Sequence, residues 1–273
     1  MSPRAPKGEP APRLIVAHAP RERTRELVRA SVGRRVARVA ITRSLAALER
    51  RLRGSLVDAV VVDLGATGDV LRAAALAREF PSVAFLAVTP FRGADAPAIA
   101  ECAAHDVADV LADGIDDAML RHAIETHGFS WRFAVALDQP PRSLGLTSAI
   151  QLCAWKYIVE RAGRVVRAHE PAQALRVTRE HLSRSFADGA AATLKRVIDL
   201  VRILVAAELA KNPGYDLRDV VRVLGYASVS QLSAVAERLV GRPATSLSRL
   251  RAVDLVERFA RTESRPLVSP ATL

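Results

Sequence analysis

Two cysteines, a 4% share of aromatic residues and no apolar run near twenty residues set the first limits on this chain. Cys102 and Cys153 cannot build a disulfide framework, and their spacing matches no zinc or redox motif. Both lie in Ala/Leu-rich surroundings and are expected as buried free thiols. Runs such as Asp58–Leu64 and Val83–Val88 are far shorter than the ~20 residues a membrane-spanning helix needs. The Pro-rich start lacks the apolar centre of a secretory signal, so a cytoplasmic protein with no membrane partner is expected. There is no phosphate-binding loop, no metal-spaced group of His, Cys and carboxylates, and no nucleophile motif; Gly65-Ala66-Thr67-Gly68 is too short and lacks a third glycine. No enzymatic activity, metal or cofactor is expected.

What is present is apolar content and positive charge. Half of the 273 residues are hydrophobic, enough for a sizeable core and for two domains. The net charge of +11 is unevenly spread, since residues 129–273 hold 22 Lys+Arg against 13 Asp+Glu, whereas residues 1–128 hold 18 against 16. A basic half favours polyanion binding through counterion release, although Arg-rich composition can arise without a partner.

Residues 1–12, with four prolines, read as a mobile tail, and structure is expected from Arg13. From there β-branched runs alternate with amphipathic stretches. Strands are expected at Leu14–Ala17, Val36–Ile41, Ala59–Leu64, Val83–Val88 and Asp109–Leu111. Helices are expected at Arg21–Ser31, Ser44–Arg53, Gly68–Glu79, Ala96–His105 and Asp116–Thr126. Five such repeats imply an α/β domain over residues 13–127, with a five-stranded parallel sheet covered on both faces.

The pattern resembles a response-regulator receiver domain of flavodoxin-like topology. The resemblance places Asp63, ending the third strand, at the phosphoacceptor position and Thr89 at the switch hydroxyl, both at the carboxyl edge of the sheet. Receivers carry an acidic pair after the first strand, where this chain has Ala17-His18-Ala19, and a Lys-Pro after the fifth, where it has Asp113-Gly114. Without metal ligands and that cation a phosphoryl group would go largely uncompensated. Asp63 is therefore expected as a strand-end or helix-capping carboxylate, and the domain as a pseudo-receiver serving dimerisation or partner docking.

Residues 128–145 contain Pro140-Pro141 and Gly145 and read as a linker. Within them Trp131, Phe133, Val135 and Leu137 alternate with polar or small residues, consistent with an edge-lying sixth strand or a docking strip. An all-α domain is expected over residues 146–262, followed by a disordered tail at 263–273. Its first helix runs from Thr147 to Ala162, with Gly163 as the stop.

Two helix-turn-helix patterns follow. In the first, Pro171–Phe186, Thr178 is placed as N-cap of a helix whose Leu182 and Phe186 point inward. Arg179, Glu180, His181, Ser183 and Arg184 are left near the exposed face, where donors, an acceptor and cations can meet base edges and phosphates. In the second, Leu217–Leu239, Val220, Val221 and Leu224 form the buried stripe, Gly225 the turn and Tyr226 a core plug. Its following helix opens on Ser228 and exposes Val229, Ser230, Gln231, Ala234 and Glu237; Gln231 can address adenine and Val229 a thymine methyl, but no cation lies near its start. Apolar residues at three- and four-residue steps predict one helix from Thr193 to Lys211, about 28 Å long, stopped by Asn212-Pro213-Gly214. Lys195, Arg196, Arg238, Arg242 and Arg249 flank the reading helices as phosphate contacts.

This segment, Val165 to Leu250, resembles the DNA-binding domain of the AraC/XylS family of transcription regulators. The resemblance rests on His181–Phe186, Arg202 and Ala206–Leu209 of the joining helix, Leu224-Gly225-Tyr226, and Gly241 with Pro243. It implies that both units read one asymmetric site in double-stranded DNA, often repeated by a homodimer, with regulation through RNA polymerase contact, and it makes Arg202 a structural residue. Leu232 and Ala236 stand where the family has aromatic residues, the Gly241-to-Pro243 interval is one residue short, and Pro171 sits early in its helix. Two other readings remain open at this point: an interaction module whose tandem motif no longer binds DNA, and a phosphorylation-dependent response regulator.

Overall fold

The computed structural model describes residues 13–33, 36–65, 70–187 and 192–263. The expected tail at 1–12, that at 263–273 apart from Glu263, and residues 66–69 lie outside these residues. Five parallel strands, β1 (Arg13–His18), β2 (Ala37–Thr42), β3 (Ala59–Asp63), β4 (Ala84–Thr89) and β5 (Asp109–Ala112), are ordered β2-β1-β3-β4-β5. The order reverses beside β1, and every pair is parallel, as short crossover helices require. Alternation along the strands divides the core. Ile15, Ala17, Val61 and Leu86 face α1 (Glu22–Ser31) and α5 (Asp117–His127), while Leu14, Val16, Val60 and Phe85 belong with α2 (Leu45–Gly54), α3 (Val70–Glu79) and α4 (Ala96–Ala104).

The stretch from 129 onwards departs from the expected linker. Phe129–Ala136 is a helix, α6, not a strand. The alternation of Trp131, Phe133, Val135 and Leu137 is not the burial pattern: Phe129 and Phe133, four apart, are buried with rings 5.9 Å apart, and Val135 is 78% exposed. A 3-10 turn at Arg142–Leu144 then leads to α7 (Ala149–Val159), whose buried Trp155 donates its indole N–H to the Leu137 carbonyl at 2.8 Å. Cys102 is buried as expected, but Cys153 is exposed, because the inward positions of α7 are taken by Ala154, Trp155 and Ile158.

The rest is helical: α8 (His169–Ala174), α9 (Arg179–Ala187), α10 (Leu194–Ala210), α11 (Leu217–Leu224), α12 (Val229–Val240), a 3-10 segment at Ala244–Arg249, and α13 (Ala252–Glu263). The axis of this assembly is α10. It buries twelve of its seventeen residues, more than one stripe, because α7, α9, α11, α12 and α13 all pack on it. Gly163 follows α7 with φ of +79°, and a Cβ there would lie 2.8 Å from Val205 Cβ, so glycine lets the turn approach α10.

The two halves share one continuous apolar cluster, which runs from Val60 and Phe80 through Trp155 and Val197 to Leu232 and Phe259. Asn212-Pro213-Gly214-Tyr215, expected only as a helix stop, is a plug between them. The Ser82 amide donates to Asn212 Oδ1 at 2.8 Å, the Gly214 amide to the Glu79 carbonyl at 2.7 Å, and the Tyr215 hydroxyl to the Leu52 carbonyl at 2.9 Å. A Cβ on Gly214 would fall 2.5 Å from the Phe80 ring, which meets Tyr215 edge to face at 5.0 Å. Arg53 on α2 pairs with Asp219 on α11 at 3.0 Å and donates to the Gly214 carbonyl.

Deeper in the seam Asp58 has no solvent exposure and accepts from the Leu14 amide at 2.8 Å, the Ser130 amide at 3.1 Å and Arg164 Nη2 at 2.7 Å. These contacts lie at the amino ends of β1 and β3, whereas Asp63 sits at the carboxyl end of β3. Arg164→Ala would leave a buried carboxylate without its ion-pair partner, a loss that typically costs about 3 kcal/mol or more. Chemical denaturation of that variant is expected to show a loss of this size, and wild-type stability would refute the role given to Asp58.

Candidate nucleic-acid interface

Both helix-turn-helix units are built as the sequence implies, with different turns. In the first, the Val177 amide returns to the Ala172 carbonyl at 3.0 Å and the left-handed position is taken by Arg176, φ +56°, not by glycine. Thr178 Oγ1 accepts the His181 amide at 3.1 Å, which makes Thr178 the N-cap and puts Arg179, Glu180 and His181 in the first turn of α9. Leu182 and Phe186 are buried, and Arg179, Glu180, His181, Ser183 and Arg184 are all exposed along the other side. The helix is fixed from behind by Gln151, whose Nε2 donates to the Ser185 carbonyl at 2.7 Å and whose oxygen completes the capping box of α7.

In the second unit Gly225 supplies the turn with φ +67°, and the Tyr226 amide bonds to the Val221 carbonyl at 2.9 Å. Tyr226 is buried beneath the guanidinium of Arg202, 4.1 Å from the ring centre, and Arg202 Nη2 donates to the Leu224 carbonyl at 2.8 Å. Arg202 thus holds the end of α11 to α10. Ser228 caps α12 by accepting the Gln231 amide at 3.1 Å, and Gln231 Oε1 in turn accepts the Ala227 amide at 2.6 Å. The oxygen of Gln231 needed for a bidentate adenine contact is therefore committed to the helix start. Val229 is half-buried, leaving Ser230, Gln231 Nε2, Ala234 and Glu237 at the surface. Leu232 and Ala236 are wholly buried, so small and aliphatic residues fill the place of aromatic ones.

The proposed phosphate contacts fall into two groups. Arg242 and Arg249 are exposed near the 3-10 segment, and Arg196 is half-buried with its guanidinium 5.6 Å from the Phe259 ring. Lys195 and Arg238, which come from different elements, converge on the buried Asp199, at 3.0 and 3.4 Å. The i,i+4 spacing of Lys195 and Asp199 was visible in the sequence, but the arrival of Arg238 was not.

At the carboxyl edge of the sheet Asp63 and Asp113 are already compensated. Asp63 is fully buried, and Arg21 Nε lies 2.8 and 2.9 Å from its two oxygens. The same guanidinium reaches Asp113 at 2.8 Å, Arg23 pairs with Asp113 at 3.2 Å, and the Gly65 amide donates to Asp63 Oδ1 at 3.1 Å. Asp63 is thus a strand-end carboxylate with a resident counter-cation. Thr89, also buried, donates to Asp95 at 3.1 Å. Among the described residues no group of three or more His, Cys, Asp or Glu is arranged to hold a metal, and no helix is long and apolar enough to cross a membrane.

Residues 172–249 match the family described as a helix-turn-helix domain, of AraC type. No curated protein matches the chain. Among solved structures it is similar to a response regulator from Thermotoga maritima, at 15% identity and a TM-score of 0.37, covering 42% of this chain and 96% of that one. It is also similar to RcsB from Salmonella enterica serovar Typhimurium, bound to promoter rprA in the presence of the phosphomimetic BeF3-, at 15% identity and a TM-score of 0.33, covering 63% and 87%. The C-terminal half is a tandem helix-turn-helix domain, which supports a DNA-binding regulator of transcription.

Burial pushes the Tyr226 phenol up to about 12 from its ordinary value of 10, and its hydroxyl has no hydrogen-bond partner among the described residues. The folded chain keeps a proton that the unfolded chain releases, so this group's contribution is complete below pH ~10 and is lost as pH rises towards ~12. Tyr226→Phe is expected to leave stability at neutral pH unchanged or higher and to reduce the alkaline loss, as read by denaturation at several pH values. A marked loss at neutral pH would contradict the unpartnered hydroxyl.

Proposed function

We propose that the protein is a sequence-specific DNA-binding regulator of transcription that seats α9 and α12 in adjacent major grooves. The observation that carries this is the first turn of α9, where Arg179, Glu180 and His181 stand exposed and followed by Ser183 and Arg184 within a helix-turn-helix domain. The seventeen residues of α10 give a spacer of about 26 Å, compatible with grooves about 34 Å apart once the reading helices project beyond its ends. Reading is unequal. The α9 face offers two guanidiniums, a carboxylate and an imidazole, whereas Ser228, Val229, Ser230 and Gln231 of α12 are partly spent on capping and packing. The second unit serves mainly as an anchor seated in its groove.

Lys195, Arg196, Arg238, Arg242 and Arg249 contact phosphates, with Asp199 fixing Lys195 and Arg238 side by side. The front domain is a pseudo-receiver: Arg21 occupies the carboxylate that a phosphoryl group would need, so signals arrive by contact, through a homodimer or a docked partner, and output passes to RNA polymerase.

Selection of bound sequences from a random DNA library by the full chain tests this reading. A constrained site is expected, with more information in the half read by α9. Arg179→Ala should relax one base position there by about tenfold, whereas Arg249→Ala should weaken all sequences alike and lower the salt slope by about 0.9. No enrichment at low salt would overturn DNA binding and leave the interaction-module reading, and equal information in the two halves would contradict the asymmetry.

A further inference from the structure

A cleft of about 360 Å³ opens where the turn before β4, α6 and the end of α10 meet. It lies within the usual range for small-molecule sites, about 300–1,000 Å³, and at a domain junction, where such sites concentrate. Its apolar wall is made by the paired rings of Phe129 and Phe133 together with Ala136. Its rim is polar. Arg132 and Lys211 stand over it, both exposed, with Glu208 as the single acid.

Lys211 is held by Glu208 at 2.6 Å and partly offsets the negative end of α10. Arg132 donates from Nη2 to the Ser82 carbonyl at 3.0 Å, which fixes the guanidinium at the rim while using one of its five N–H donors. Asn212 has no donor to spare, since its nitrogen donates to the Leu209 and Glu208 carbonyls, at 2.7 and 3.3 Å, while its oxygen accepts the Ser82 amide. The cationic donors that remain for an occupant are those of Arg132 and Lys211; the Ser82 hydroxyl, buried and without a partner among the described residues, is the neutral one.

We propose that this cleft binds a small amphipathic monoanion, a carboxylate on an aromatic or branched apolar body. The carboxylate is met by Arg132 and Lys211, and the apolar body rests on Phe129, Phe133 and Ala136. An occupant touches the sheet domain through the Pro81–Ser82 turn and the helical domain through α10, so it closes over the seam that Ser82 and Asn212 already bridge. Binding then strengthens the contact between the domains, and the helix that carries both reading units feels it. The binding site itself does not depend on the DNA-binding reading.

Calorimetric titration of the full chain with 4-phenylbutanoate and with its neutral counterpart 4-phenylbutanamide tests the proposal. The acid is expected to bind at least about tenfold more tightly than the amide. Arg132→Ala and Lys211→Ala, at exposed positions, should each reduce that preference. Ala136→Trp, which fills the cleft from the exposed side of α6, should abolish binding. Equal affinity for acid and amide, no binding of either compound, or unchanged binding in the charge-removing and cleft-filling variants would overturn it.

Discussion

Asp58, a carboxylate with no access to solvent, sits at the point where β1, β3, α6 and the turn after α7 come together, and the rest of the arrangement depends on its compensation. A buried charge of this kind is tolerated only when paired and hydrogen-bonded. Two backbone amides and the Arg164 guanidinium do this, and each belongs to a different part of the chain. The ion pair that compensates Asp58 exists only while the segment bearing Arg164 is docked. Around this polar centre one apolar cluster is continuous across the two recognisable halves, while a second, beneath α1 and α5, belongs to the sheet domain alone.

That constraint fixes which signals can be transmitted. The helical domain holds the amino ends of the strands, and Asp63 lies at the carboxyl end of β3, about 16 Å away at the rise of a five-residue strand. Arg21 closes that far end by spanning Asp63 and Asp113. In the seam, by contrast, α11 is clamped to α2 through Arg53, Asp219 and Tyr215. The first helix of the second unit is therefore part of the interdomain contact, and the placement of α12 beside it is tied to the front domain. Among the described residues, the first unit is held by α7 through Gln151 and makes no hydrogen bond or ion pair with a residue of the sheet domain. The two units differ in support as well as in surface chemistry.

Much of this was legible in the sequence, because local periodicity and tertiary burial agree. The strands and the helices of both halves fall within a few residues of their expected places, and Thr178, Gly225 and Ser228 act as caps and turn as their residue types imply. The exceptions have physical reasons. Trp131, Phe133, Val135 and Leu137 alternate as in a strand, yet the pair that packs is Phe129 with Phe133, a helical step that polar and small neighbours disguise. Asn212-Pro213-Gly214 had a sufficient local explanation as a helix stop, which concealed its contact with Phe80 more than 130 residues earlier. Gln231 followed Ser228 at capping-box spacing, so its double use was visible in principle. Arg21 was not visible, because nothing local ties an arginine to an aspartate 42 positions away.

If the two halves share one continuous apolar cluster, they cannot unfold separately. Equilibrium denaturation of the full chain, followed in parallel by far-ultraviolet circular dichroism and by fluorescence of Trp131 and Trp155, measures this most directly. Coincident curves with a single transition are predicted. A first transition that removes the tryptophan signal while part of the secondary structure survives to a second, separate one would contradict the account.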